Sequence, residues 1–275
     1  MDEIIGVIGA TGKTGRRVAD RLAARGATVR RLSRGSSPSF DWEQPDGWKA
    51  ALDGVDRLYA AYVPDLAAPG ADRAIATLAR VAHEVGVRRV VLLSGRGEAG
   101  ARTCEDILFA SPVATTVVSA SWFVQNFTEG MLHDAVAEGV LALPAGMVRE
   151  PFIDVDDLAD VIVHVLLEDG HEGRRYEVTG PESLTFAEAA AHLSAFAGRE
   201  VAYVPIGFDE FHAAIAEAEG ADVATLLTEL CREVFDGRNE GTTSTVADLL
   251  GRPARDLSAA LVDAHAERRR ATANA

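Results

Sequence analysis

The residues whose types and spacing can do chemistry stand near the amino terminus, in IIGVIGATGKTGRRVADRLAARGATVRRLSR, residues 4–34. Three glycines, Gly9, Gly12 and Gly15, recur there at three-residue spacing. A glycine has no Cβ to hold an anion away from the backbone, and a helix that starts at such a turn offers unpaired amides and the positive end of its dipole. The bare pattern G-x-x-G-x-x-G is weak, because tight turns and close packing also select glycine. Its setting strengthens it. An apolar strand, Ile4 to Ile8, runs into the turn, a helix with Val18 and Leu22 on one face leaves it, and a second strand, Thr28 to Leu32, follows. That order predicts a pyrophosphate cradle for a dinucleotide.

The end of the second strand chooses between dinucleotides. Residues 21–40 contain no acid, in a chain with 42 acids against 27 bases and formal net charge −15, while Arg30, Arg31 and Arg34 crowd the strand end. A carboxylate there reads the ribose 2′-hydroxyl of NAD, and an arginine reads the 2′-phosphate of NADP. Ser33 and Arg34 occupy the place of that carboxylate, so the expected cofactor is NADP(H). Arg30 and Arg31 read as solvated surface and Arg34 as the phosphate contact.

Candidate catalytic groups are fewer. Many short-chain reductases use a tyrosine as acid with a lysine four residues on. None of Tyr59, Tyr62, Tyr176 or Tyr203 has a lysine at that spacing, and the lysines are Lys13 and Lys49. Ser94 stands at a strand end, where it either polarises a substrate or caps the next turn. Asp156 and Asp157 precede an apolar segment and read as helix caps, and His164 reads as a packed residue within that helix. Cys104 and Cys231 lie far apart, with no C-x-x-C and no His/Cys cluster, so neither a disulfide framework nor a metal site is expected.

The elements that must position these groups alternate. Apolar runs at Leu58 to Val63, Val90 to Leu93 and Val113 to Ser119 read as buried strands, and Gly70 to Gly86 as a helix between two of them. Phe40 to Trp42 reads as a short strand, followed by a short helix through Trp48 that stops at Gly54. Tyr62, Val63 and Pro64 close one strand on the side where a doubly wound sheet holds its ligand. Beyond residue 123 the pattern changes: a helix over Gln125 to Glu138, a short strand at Pro151 to Val155, a helix over Leu158 to Leu167 and a strand at Arg175 to Thr179. Thr185 and Glu188 form a capping box for a helix closed by Gly198. Helices are expected at Phe211 to Glu219, Val223 to Phe235 and Leu257 to Arg268. The fold class is therefore α/β, a Rossmann-type doubly wound parallel sheet with a smaller, mostly helical carboxyl-terminal part. An NADP-binding domain is expected over residues 1–155, with helix 156–168 packed back on it. A substrate-binding region is expected over 169–275, with 125–150 contributing.

Apolar residues make up 48% of the chain, and no apolar run reaches the roughly 18–20 residues that span a bilayer. With an acidic start and no signal pattern, a soluble cytoplasmic protein is expected, monomer or homodimer, and the acid excess argues against a nucleic-acid partner.

Taken together, GATGKTGRRV, VRRLSR, LLSGRGE, SWFVQNF, PFIDVDDLADV and YEVTGPESLTFAEAA resemble, in that order through about residue 200, the NmrA-like branch of the atypical short-chain dehydrogenase/reductases. SGRGE and the aromatic-Asn segment are similar to bacterial relatives of the festuclavine dehydrogenases of ergot alkaloid biosynthesis. Those enzymes reduce an iminium carbon with NADPH and lack the tyrosine-lysine pair. The resemblance implies that Gly9, Thr11, Gly12, Lys13, Thr14 and Gly15 hold the pyrophosphate, and Ser33 and Arg34 the 2′-phosphate. It implies that Tyr62, Val63 and Pro64 flank the adenosine, and that Ser94, Gly95, Ser121, Trp122 and Phe123 border the nicotinamide. Ser94, Trp122 and Asn126 become the candidates for catalysis, and Trp122, Phe123 and Asn126 those for the substrate wall. A plain core reading is the alternative for Trp122 and Phe123, and it is the preferred one for Phe127. One departure is local: Ala120-Ser121 stands where the family commonly has Arg-Pro. The implied activity is hydride transfer to a small electrophile, an imine or iminium, an enone or a quinone. The alternatives are a non-catalytic NADP(H) sensor of the NmrA type and, less favoured, a nucleotide-sugar epimerase.

Overall fold

The computed structural model describes residues 3–264. The chain divides into two compact units, one formed by residues up to 120 with 156–178 and 248–251, the other by 121–155, 179–247 and the stretch from 252. Against the boundary drawn at 155, residues 121–155 group with the second unit, and the strand at 175–178 joins the first.

The first unit is a six-stranded parallel sheet with helices on its faces. Its elements are β1 (Ile4–Ile8), α1 (Lys13–Ala24), β2 (Thr28–Leu32), α2 (Trp48–Leu52), β3 (Arg57–Ala60), α3 (Ala71–Glu84), β4 (Arg89–Gly95), α4 (Ala99–Phe109), β5 (Ala114–Ala120), α6 (Val155–Leu167) and β8 (Arg175–Val178). The order across the sheet is β2-β1-β3-β4-β5-β8. Val7 is paired with Arg31 of β2 on one side and Tyr59 of β3 on the other, so the winding reverses at β1, where open α/β sheets take their ligands. Central strands must be apolar toward both faces, and Val7, Leu58, Val90, Val91, Leu92, Val117 and Val118 are all fully buried. Each such side chain contributes about 1.5–3 kcal/mol. One face packs under Ile75 and Leu78 of α3 and Cys104 and Leu108 of α4. On α1, Arg17 and Arg21 both pair with Asp156 in the first turn of α6, and Arg21 also reaches Asp160 at 2.7 Å. Asp156 thus serves α1 as well as its own helix start. At the far end of α6, Arg57 donates to the carbonyls of Leu166 (2.6 Å) and Leu167 (2.8 Å), and Arg89 to Leu166 (3.1 Å), which places cations on the negative end of the helix dipole.

Two expectations for this unit are corrected. Phe40 to Trp42 is not a strand: β2 is the sheet edge, with no ladder outside it, and the rings instead form a loop cluster. Phe40 stacks on Trp48 at 5.0 Å, and Trp48 Nε1 donates to the Asp41 carbonyl at 2.6 Å. β3 stops at Ala60, so Tyr62, Val63 and Pro64 lie in the loop after it.

The second unit holds α5 (Met131–Glu138), β6 (Val140–Leu143), β7 (Arg149–Glu150), β9 (Leu184–Thr185), α7 (Phe186–Ala197), β10 (Ala202–Pro205), α8 (Phe208–Glu219), α9 (Ala221–Val234) and a helix over residues 257–264. A short α10 (Thr245–Leu250) precedes the last of these. The capping box forms at α7: Thr185 accepts from the Glu188 amide at 3.1 Å and its own amide donates back to Glu188 at 2.8 Å. The helix expected over Gln125 to Glu138 is broken, because a 3-10 turn at Val124–Asn126 comes first and Gly130, at φ 107°, starts α5 afresh. Pro151 to Val155 makes only a single bridge, Ile153 to Phe123, before α6 begins. β6 and β10 form a parallel pair that sequence patterning missed. Of the helix expected at Leu257 to Arg268, residues 265–268 lie outside the described residues. Among the described residues no helix is long and apolar enough to cross a membrane.

His171 gives the first unit a pH dependence. Its ring is buried, its Nδ1 lies 2.8 Å from the Tyr176 hydroxyl, and burial, helped by His164 and Arg89, pulls its pKa below the ordinary histidine value. A base with a depressed folded pKa contributes stability that is complete above its unfolded pKa, about 6.5, and lost as pH falls below it. Urea-unfolding free energies measured between pH 7 and pH 5 are expected to fall less steeply in His171→Gln than in the wild type. Equal slopes would remove His171 from the titration.

Candidate cofactor site

The glycine turn joins β1 to α1, and each glycine answers a different demand. Gly9 sits at φ 77°, a left-handed conformation that side chains resist. Gly15 lies against the turn, where a Cβ would come within 2.1 Å of the Gly9 carbonyl oxygen. Gly12 is exposed, and a Cβ there would meet only the Gly9 oxygen, at 3.3 Å. Packing accounts for Gly15 and conformation for Gly9; the open space over Gly12 is the part of the turn an approaching phosphate requires. Gly12 is also the N-cap of α1, so no side chain caps the first-turn amides, and that turn carries no acid. The residues present therefore fit a dinucleotide pyrophosphate. Thr11 is exposed and Lys13 half-buried, but Thr14 is turned inward: its Oγ1 accepts from the Tyr59 hydroxyl at 2.8 Å. What Thr14 offers an anion is its place in the first turn. Tyr59 itself is sealed in, with its phenol pushed well above the ordinary value by burial, and is no acid.

At the end of β2 the three arginines separate. Arg30 Nη1 donates to the carbonyls of Ala51 (3.0 Å) and Asp53 (2.6 Å) at the end of α2, and Arg31 pairs with Asp20 at 2.6 Å. Arg34 is exposed and makes no hydrogen bond or ion pair among the described residues. The loop beside it is tied down through Ser36, whose Oγ accepts from the Ser33 amide at 3.0 Å and donates to the Ser33 carbonyl at 2.8 Å. Across the turn, the Tyr62 ring stands edge-on to Trp42 at 4.8 Å, and Trp42 Nε1 donates to the Ala61 carbonyl at 3.2 Å. Val63 is 62% exposed, an apolar side chain left in the open in the loop after β3. Trp42, ten residues beyond β2, was read only as part of a short strand; its ring instead packs against Tyr62 and ties to the Ala61 carbonyl.

At the end of β4, Ser94 is buried and donates to Glu105 Oε1 at 2.6 Å. The Glu98 carboxyl lies against Gly95, within 2.2 Å of where a Cβ would stand, and is hydrogen-bonded to Asp65, whose carboxyl is raised by burial. Glu105 was not singled out in the sequence, since an acid on a helix ordinarily marks a solvated face.

In the second unit, the Ser121 hydroxyl donates to the Pro151 carbonyl at 2.6 Å. Trp122 stacks on Phe235 at 5.3 Å and stands edge-on to Phe186 at 5.5 Å; its amide donates to Glu150 at 3.1 Å and its carbonyl accepts from Ile153 at 2.9 Å. Phe123 and Asn126 are half-buried beside it in the chain, and Phe127 is core. Cys104 and Cys231 are buried, with thiols pushed up to about 11 and about 12, so neither is a ready nucleophile. Among the described residues no group of His, Cys, Asp and Glu is arranged to hold a metal ion.

No protein-family model matches the sequence. The chain is 33% identical to an NAD(P)H azoreductase of Xenophilus azovorans, covering 82% of this chain and 81% of the relative. It is 29% identical to a festuclavine dehydrogenase of Aspergillus fumigatus, with 89% and 92% covered. An NADPH-dependent quinone oxidoreductase of Escherichia coli, solved with NADPH, shares the fold at TM-score 0.75 and 23% identity, with 94% of this chain and 99% of that one covered. The chain belongs to the NmrA-like atypical short-chain dehydrogenase/reductases, as an NAD(P)H-dependent oxidoreductase.

Proposed function

We propose that the protein reduces a small conjugated or cationic organic electrophile, a cyclic iminium, a quinone or an enone, with NADPH as the preferred reductant. The observation that carries this reading is the pairing of a phosphate cradle open over Gly12 with an unengaged Arg34 at the end of β2. The residues that would hold the cofactor are Gly9, Thr11, Gly12, Lys13, Thr14 and Gly15 at the pyrophosphate, Ser33 and Arg34 at the 2′-phosphate, and Tyr62, Val63 and Pro64 at the adenosine. Ser94 and Gly95 would lie toward the nicotinamide, which supplies a hydride when bound. In the second unit Ser121, Trp122, Phe123 and Asn126 are assigned to the substrate.

The protein's own contribution is binding, orientation and exclusion of water. The Ser94 proton is engaged by Glu105, that of Ser121 by Pro151 and that of Tyr59 by Thr14, and no tyrosine-lysine pair exists. A carbon that is already electrophilic needs none of these protons, and solvent supplies one where the product requires it. The azo, festuclavine and quinone chemistry in the names of the similar proteins supports an acceptor of this kind. We also assign the protein to the cytoplasm, where free cysteines stay reduced.

The test is to mix purified protein with NADPH and a panel of naphthoquinones, enones and cyclic iminium salts and follow the loss of NADPH absorbance. Turnover of at least one class is expected. Tight NADPH binding with no turnover across the panel, and equal affinity for NADP+, would identify a sensor instead.

A further inference from the structure

Glu105 is 3% exposed on α4, under the carboxyl ends of the adjacent strands β4 and β5. Ser94 of β4 and Ser119 of β5 are register partners, and both hydroxyls donate to the same oxygen, Glu105 Oε1, at 2.6 and 3.0 Å. The other oxygen, Oε2, accepts from Arg175 of β8 and from Arg102 at 3.4 Å, and Arg175 continues to Asp106 at 3.0 Å. One carboxylate thus joins three strands to one helix, with both oxygens occupied by donors.

A hydroxyl has a single proton. With that of Ser94 committed to Glu105, only the lone pairs of Ser94 are left for anything at the end of β4. We propose that Glu105 is a positioning residue that makes Ser94 a hydrogen-bond acceptor, so that Ser94 selects an N–H donor on the bound ring, and the carboxamide nitrogen is the N–H donor a nicotinamide carries. The proposal rests on the assignment of Ser94 to the nicotinamide. It goes beyond that assignment in fixing the polarity of the contact: Ser94 gives no proton to a substrate carbonyl, and the group that denies it is Glu105.

The two sides of Glu105 make the test sharp. In Glu105→Gln the two arginines hold the amide oxygen on their side, which leaves the amide NH2 facing Ser94 and Ser119. That NH2 donates to the serines, and the Ser94 proton is released outward. The isosteric change therefore reverses the polarity of Ser94 without changing the shape of the site.

The measurement is the dissociation constant of NADP+ against that of its 3-acetylpyridine analogue, in which a methyl group replaces the carboxamide NH2, read by tryptophan fluorescence on the full chain without turnover. The wild type is expected to prefer NADP+ by about three- to tenfold, the size of one neutral hydrogen bond. Ser94→Ala and Glu105→Gln are each expected to bring the ratio to about one, and the double variant to add nothing further, as for two residues acting through one contact. Ser119→Ala, which leaves the Ser94 to Glu105 bond in place, is expected to keep the wild-type ratio. Should Glu105→Gln not fold, Glu105→Asp, which withdraws the carboxylate by one methylene, is expected to lose the preference as well. A wild-type ratio of one, or a preference that survives Ser94→Ala or the Glu105 change, overturns the proposal. Failure of the wild type to bind NADP+ at all would instead strike at the cofactor assignment.

Discussion

In Gly12→Val, NADPH binding is expected to weaken by about a hundredfold or more while the protein stays folded. The expectation follows from what surrounds each glycine of the turn. The Cβ of a residue at Gly12 meets one protein atom, the Gly9 oxygen at 3.3 Å, and a shift of a few tenths of an ångström relieves it. Loss of the glycine N-cap costs the helix about 1 kcal/mol. A phosphate that approaches the uncapped amides of α1 meets the whole valine side chain, and each charge-assisted hydrogen bond it loses is worth about 1.5–3 kcal/mol, so two account for the hundredfold. Gly15→Ala is the contrasting variant. Its Cβ would stand 2.1 Å from the Gly9 oxygen and 2.6 Å from the Gly9 carbonyl carbon, both backbone atoms, so it is expected to lower the melting temperature sharply. Thermal melts and NADPH titrations of the two variants separate cradle from packing. If Gly12→Val binds NADPH like the wild type, the turn is not a phosphate cradle.

Arg34→Ala is expected to weaken NADPH by about ten- to hundredfold and NADH by less than about twofold, because only NADPH carries the 2′-phosphate and one charge-assisted contact is worth about 1.5–3 kcal/mol. Arg31→Ala serves as the control. Arg31 already pairs with Asp20, and an exposed pair is worth little, so its loss is expected to leave both affinities within about twofold. Dissociation constants for both coenzymes in the three proteins decide the matter. Equal losses for NADPH and NADH in Arg34→Ala would show that Arg34 does not read the 2′-phosphate.

The parts of this molecule that were legible in the sequence are those governed by near neighbours. The strand, glycine turn, helix and second strand of residues 4–32 follow from local periodicity and from what glycine permits, and the Thr185 to Glu188 box from two side chains three residues apart. Arg30 and Arg31 both read as solvated surface; Arg31 is exposed, but Arg30 is half-buried and donates to the carbonyls of Ala51 and Asp53, some twenty residues away, which no local pattern announced. The illegible parts depend on distant partners. Phe40 to Trp42 has strand composition, yet no strand lies beyond β2 to pair with it, and the rings settle on one another. Leu141 and Tyr203 become register partners in a parallel pair only because two segments some sixty residues apart meet. Glu105 shows the same limit at the site: its burial depends on Ser94, Ser119 and Arg175, from three separate strands, which no local pattern announces. Gly130 was a local signal overlooked, and it ends the continuous helix expected from Gln125.

The most direct measurement is a single turnover with NADPH carrying deuterium at the transferred C4 position, mixed with stoichiometric protein and an acceptor from the quinone and iminium panel. Decay of the 340 nm absorbance is expected to be severalfold slower with deuterium than with hydrogen, and the amine formed from an iminium acceptor is expected to carry the label on carbon. Bound NADPH that keeps its absorbance with every acceptor would contradict hydride transfer by this protein.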